Sequence, residues 1–155
     1  DWRRNAPKDD ADPYAARGLA LRLMGRNDDA RESLDRALDR DSVHFVALVN
    51  RGIVLLGMQE YDAAKQDART LMREAPERMN GWALAGFVAL AEERCADVVS
   101  YWSKVDTIQP GWTDRDENIR KSYAACRKAG GGRRGAESLV GIGHGGRCAA
   151  DTAPP

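Results

Sequence analysis

Apolar residues through most of the chain recur three or four places apart, the spacing of a helix face, rather than in the strict alternation of a half-buried strand. Tyr14 and Leu21 make one such stripe and Leu34 and Leu38 the next; Leu48 and Leu55 are followed by Ala64, Ala68 and Leu71. Each pair of stripes predicts two helices that bury their apolar faces against one another. Asp12-Pro13, Asn27-Asp28-Asp29 and Ser42 supply signals for helix starts, and Pro76 and Pro110 stop the second helix of their pairs. Thr113 to Ala129 reads as one further helix, with Thr113 as N-cap, Asp114, Asp116 and Glu117 in the first turn, and Arg127 and Lys128 in the last. The expected class is all-α.

The helix pairs repeat. Gly18, Gly52 and Gly86 lie 34 residues apart, and the same interval separates Pro76 from Pro110, Ala30 from Ala64, and Tyr14 from Leu48 and Leu48 from Trp82. Three units follow: Ala11 to His44, Phe45 to Arg78 and Met79 to Trp112. The glycines, with Ala30 and Ala64, are small where two helix axes approach closely. A single unit cannot bury its own apolar face, so neighbours stack into a solenoid whose ends need covers.

In the second unit Gly52 stands at the eighth place, Tyr61 at the seventeenth, Ala64 at the twentieth and Pro76 at the thirty-second; the third unit matches at Trp82, Gly86 and Pro110. The first unit offers Gly18, Gly25, Ala30 and Ala37. This pattern resembles the tetratricopeptide-repeat family over about two thirds of the chain. It departs from the family where Ser42 replaces the closing proline, and where Glu93, Cys95 and Val98 replace the usual small or aromatic residues, leaving the geometry of the third turn open. The resemblance implies a right-handed α-solenoid of helix-turn-helix repeats spanning residues 11–129, with the helix after the third unit as its cap. Residues 1–10 read as a linker. Residues 130–155 hold eight of the fifteen glycines and two of the six prolines, the composition of a disordered basic tail.

A chain of 155 residues buries roughly 68 to 70% of its unfolded surface, enough for one unstapled core. No apolar run approaches the roughly 18 residues of a membrane span. The numbering opens at Asp1, which fits removal of a signal, an anchor or an upstream domain. Net charge is zero, yet the residues from Arg120 onward carry seven cations against two acids, and those before it 17 against 22. A nucleic-acid surface needs a dense basic face with aromatic platforms, and the body has neither. Arg133, Arg134 and Arg147 read as a solvated end. Arginine outnumbers lysine 19 to 5, as in a GC-rich bacterial coding sequence, and leaves cytoplasm and periplasm equally open.

Candidate chemistry is sparse. Gly141 to Gly146 fits G-x-G-x-x-G, but only nine residues follow it, too few for the helix whose N-terminus would hold a phosphate. His144 and Cys148 are a plausible start for a zinc site, but Cys126, Cys95 and His44 lie far off in sequence. Three scattered cysteines are too few and odd in number for a disulfide framework, and neither histidine is placed to activate one, so buried or idle thiols are expected. Asp9-Asp10, Asp28-Asp29 and Glu92-Glu93 fall at linkers, caps and turns. The expectation is a non-enzymatic chain with no cofactor and no metal.

The resemblance supplies the candidate site. In this family the first helix of each unit lines the concave surface, and register places there Ala15, Leu19 and Leu23, then Val49, Asn50, Ile53 and Leu56, then Ala83, Leu84, Phe87 and Leu90. Of these, Leu19, Val49, Asn50, Ile53, Leu84 and Phe87 are the expected contacts for a partner peptide or helix. A variant of the family grips a C-terminal carboxylate with Lys, Asn and Arg. Only Asn50 survives here, the other places being Ala15, Leu19, Asn80 and Leu84, so chaperone-tail binding is not expected. The alternatives are a structural spacer, an oligomerisation segment, or an accessory domain of a larger enzyme.

Overall fold

The computed structural model describes residues 10–131. Among the described residues seven helices follow in order: α1 (Asp12–Leu23), α2 (Asn27–Leu38), α3 (Phe45–Gly57), α4 (Tyr61–Glu74), α5 (Met79–Ala91), α6 (Cys95–Ile108) and α7 (Glu117–Gly131), with a 3-10 turn at Trp112–Asp114 before the last. No strand occurs among the described residues. Each helix packs on the next, and α1 also touches α3, and α3 touches α5, so the first helices of the units form one continuous layer. All of the expected linker but Asp10, and most of the tail, with its glycine motif, His144 and Cys148, lie outside the described residues. The helix α7 extends through Gly130 and Gly131, two residues into the segment expected as tail.

The turn inside each unit is built the same way three times. Gly25, Gln59 and Glu93, at the fifteenth place of their units, all have positive φ, of 75°, 63° and 57°. The next amide reaches back to close the helix: Arg26 N–H to Leu21 O at 2.9 Å, Glu60 to Leu55 at 2.9 Å, Arg94 to Ala89 at 2.8 Å. The third turn, left open by its unusual residues, therefore has the geometry of the other two. Pro76 and Pro110 act as expected. The residues before them, Ala75 (φ −142°) and Gln109 (φ −133°), leave helical geometry, as proline demands of its predecessor.

Several helix starts differ from expectation. Ser42 does not cap α3; His44 does, its Nδ1 accepting from the Ala47 N–H at 3.2 Å while its Nε2 donates to Asp12. No side chain caps α2, where Arg26 instead pairs with Asp29. Thr113 is buried rather than an N-cap, because the Asp106 carboxylate accepts both its backbone N–H (3.0 Å) and its hydroxyl. That bond pulls the segment into a 3-10 turn, and α7 starts at Glu117 with Asp116 accepting from Asn118 (2.9 Å) and Ile119 (3.0 Å).

Two apolar clusters share α5 as their common wall. Leu34, Leu48, Leu55 and Leu71 fill the first with Leu84, Ala85 and Val88; Trp102, Val98 and Val105 fill the second with Ala83, Ala89 and Cys126. The place-eight glycines are where the packing is tightest. A Cβ at Gly18 would meet Leu34 at 2.5 Å, one at Gly52 would meet Leu84 at 2.2 Å, and one at Gly86 would meet Trp102 at 2.1 Å.

Ion pairs, some exposed and one reaching the buried Asp67, also tie the helices together. Arg31 of α2 pairs with Glu60 at the second turn, and Lys65, at the same place one unit on, pairs with Glu92 at the third (2.8 Å). Arg51 bridges Asp67 (2.6 Å) and Asp35 (2.8 Å), and those carboxylates push its guanidinium pKa further up. The expected idle thiols are corrected: Cys95 at the start of α6 and Cys126 of α7 form a disulfide with Cα atoms 4.6 Å apart, tying the cap to the third unit.

Candidate functional site

The expected contact residues divide into an open group and a closed one. On α3, Val46, Val49, Asn50 and Ile53 follow one another at helical spacing, so they share a face. Ile53 and Val46 are each 41% exposed, and Val49 is half-buried between them. On α1, Leu19 is half-buried and Leu23, one turn on, is 70% exposed. Val46 was not among the residues placed on this face by register, although it lies one helical turn before Asn50.

Leu84 is not an open contact. It is 5% exposed and sits against Gly52, because α5 is packed between α4 and α6 and is apolar on nearly every side. Ala15 and Ala83 are buried too, Ala15 in the first apolar cluster and Ala83 in the second. Phe87 is half-buried and turned into an aromatic cluster, its ring 5.2 Å from Trp102 and 6.1 Å from Trp112, both edge-on. Tyr123 of α7 joins the far side of Trp102 at 6.2 Å. The first-helix layer is thus open and aliphatic over α1 and α3, and filled with aromatic packing beyond α5.

Asn50 is 6% exposed and bonded at both ends of its amide. Its Nδ2 donates to the Val46 carbonyl at 2.7 Å, and its Oδ1 accepts from Arg22 Nε at 2.8 Å. Arg22 reaches it from the last turn of α1, so this bond joins the two open helix faces. Nothing in the repeat pattern marks Arg22; its place one turn after Leu19 is the signal that could have found it.

Among the described residues no cluster of three or more His, Cys, Asp or Glu is arranged to hold a metal. A cleft between α4, α5 and α6, lined by Lys65, Arg69, Glu92, Arg94 and Tyr101, encloses about 40 Å³, space for one or two waters rather than a metabolite. Lys65 and Arg94 there hold the Glu92 carboxyl below its ordinary pKa, Lys65 most strongly. Among the described residues no helix is long and apolar enough to cross a membrane.

Helix pairs of 34-residue period, the recurring turn and the cap make this a tetratricopeptide-repeat fold, an all-α solenoid of three units plus a capping helix. Solved structures bear this out. The chain is similar to the Sgt2 TPR domain from Aspergillus fumigatus, with a TM-score of 0.69 and 17% identity over 96% of this chain and 93% of that one. It is similar also to the first TPR of Spaghetti (RPAP3) bound to the HSP90 peptide SRMEEVD, at 0.70 and 13% over 81% and 97%. MamA from residue 41 to its end, from Desulfovibrio magneticus RS-1, gives 0.65 and 20% over 84% and 80%. No protein-family model matches the chain, and no curated protein matches it.

Proposed function

We propose that this chain is a non-enzymatic interaction module that holds a peptide or helix of a partner protein on the aliphatic face of α1 and α3. The observation that carries this reading is the group of large exposed apolar side chains, Leu23, Val46 and Ile53, on two helices that touch one another. Leu19 and Val49 extend that surface, Asn50 braces it from beneath, and Phe87 marks its aromatic end. Leu84 supports the face from below through Gly52. The solved structure with an HSP90 peptide bound offers a precedent on the same fold. A chaperone C-terminus is a poor fit, since Ala15, Leu19, Asn80 and Leu84 carry no cation at the family's carboxylate-gripping places.

The test is affinity capture from lysate of the source organism, read by mass spectrometry, with wild type beside the double variant Leu23→Glu, Ile53→Glu. Both substitutions fall on exposed positions, so the variant is expected to keep its helicity by circular dichroism. A partner captured by wild type and lost from the folded variant supports the reading. Capture that is unchanged in the variant sinks it.

A further inference from the structure

We propose that the Arg22–Asn50 pair receives an acidic side chain from within the bound segment, so that the partner is a peptide whose Asp or Glu is flanked on both sides by aliphatic residues. This rests on the peptide-binding reading above and names the chemistry of its ligand.

Arg22 is half-buried, and its Nε–H is spent on a neutral amide oxygen, that of Asn50 at 2.8 Å. Its terminal nitrogens have no carboxylate partner among the described residues. The other partly buried cations on the inter-unit surfaces, Arg31, Arg51 and Lys65, each hold two acids. A guanidinium that has lost part of its hydration and gained no anion carries an uncompensated cost, which a carboxylate docked on its two terminal nitrogens offsets. Asn50 is 6% exposed, neutral and bonded at both ends of its amide, so the charge that meets the carboxylate is that of Arg22. Asn50 fixes the guanidinium in place, as a pre-oriented fork.

The two helix faces that carry the pair hold no unpaired acid of their own. The helix α3 contains no Asp or Glu, and the one acid of α1, Asp12, is bonded to His44. Leu19 and Leu23 flank Arg22 on α1, while Val46, Val49 and Ile53 run beside Asn50 on α3 over about 10 Å. The apolar surface therefore continues to either side of the charge. A chain end could fill only one side; an internal acidic residue with aliphatic neighbours fills both.

A library of random peptides displayed without free C-termini, selected on the full chain, tests this. Enriched peptides are expected to carry Asp or Glu between aliphatic residues. Synthetic copies, amidated at the C-terminus, should bind wild type about 10- to 100-fold more tightly than versions with Gln or Asn in place of the acid. Arg22→Gln should lose that same factor for the acidic peptide and nothing for the amide version, a coupling that a purely structural Arg22 would not show. The comparison of acid with amide peptide uses wild-type protein alone, and so does not depend on the variant's folding. Enriched peptides without an acid, equal affinity of acid and amide versions, full binding of the acidic peptide by folded Arg22→Gln, or a requirement for a free C-terminal carboxylate each overturn the proposal. In those cases loss of binding in Leu23→Glu, Ile53→Glu leaves the peptide-binding reading standing. Failure to enrich any peptide, or binding that survives the double variant, sinks both.

Discussion

Gln59 and Glu93 take up a left-handed backbone that costs a residue with a Cβ about 1 to 2 kcal/mol. Gly25 does the same work in the first unit without that cost. Gln59→Gly is therefore expected to stabilise the protein by about 0.5 to 1 kcal/mol after the extra chain entropy of glycine is charged against it, seen as a rise in urea midpoint. Gly86 behaves in the opposite sense. Its added methyl would lie 2.1 Å from the ring of the fully buried Trp102, so Gly86→Ala should destabilise by about 1 to 3 kcal/mol in the same assay. An unchanged midpoint would show that α5 and α6 can separate freely. The glycine positions were legible in the sequence because close approach tolerates few residue types. Arg22 and Asn50 were not legible as a pair: the residues are 28 apart, and no periodicity links a side chain in the last turn of one helix to the middle of another.

The helices of the three units, their order and their stops at Pro76 and Pro110 follow from spacing and local chemistry, which is why they could be read directly. Depth could not. Register places Leu84 on the same helix face as Asn50, but only the three-dimensional stack shows that Gly52 lets it sink between α3 and α5. The start of α7 departs from the local pattern for a related reason, since Asp106, seven residues earlier, claims Thr113 before it can cap anything. Contacts between elements also set a pH dependence. Glu92 accepts from Lys65 at 2.8 Å and from Arg94 at 3.0 Å, which lowers its pKa in the folded protein. On acidification the unfolded chain takes up this proton first, so the contribution of Glu92 is complete above the ordinary carboxylate range and is lost as pH falls through it. The stability difference between wild type and Glu92→Gln should accordingly be constant near neutrality and shrink toward pH 3. A difference that grew with acid would contradict the pairing.

At the scale of the whole molecule, the disulfide between Cys95 and Cys126 closes a span of 31 residues and fastens the cap over the second apolar cluster. Its loss should cost about 3 to 4 kcal/mol by restored chain entropy, so reductant, or Cys126→Ser, is expected to lower Tm and to release α7 first in hydrogen exchange. The pairing was hidden in the sequence because an odd count of scattered cysteines names no partner. The far end is closed by cap, disulfide and aromatic packing, whereas the aliphatic face of α1 and α3 stays open, and it is there that the proposal seats the partner. Hydrogen–deuterium exchange of the chain with and without its captured partner tests that claim most directly. Protection gathered at residues 19–23 and 46–56, with α4 and α6 unchanged, is the expected result. Protection on the second helices instead, or none on α1 and α3, would contradict it.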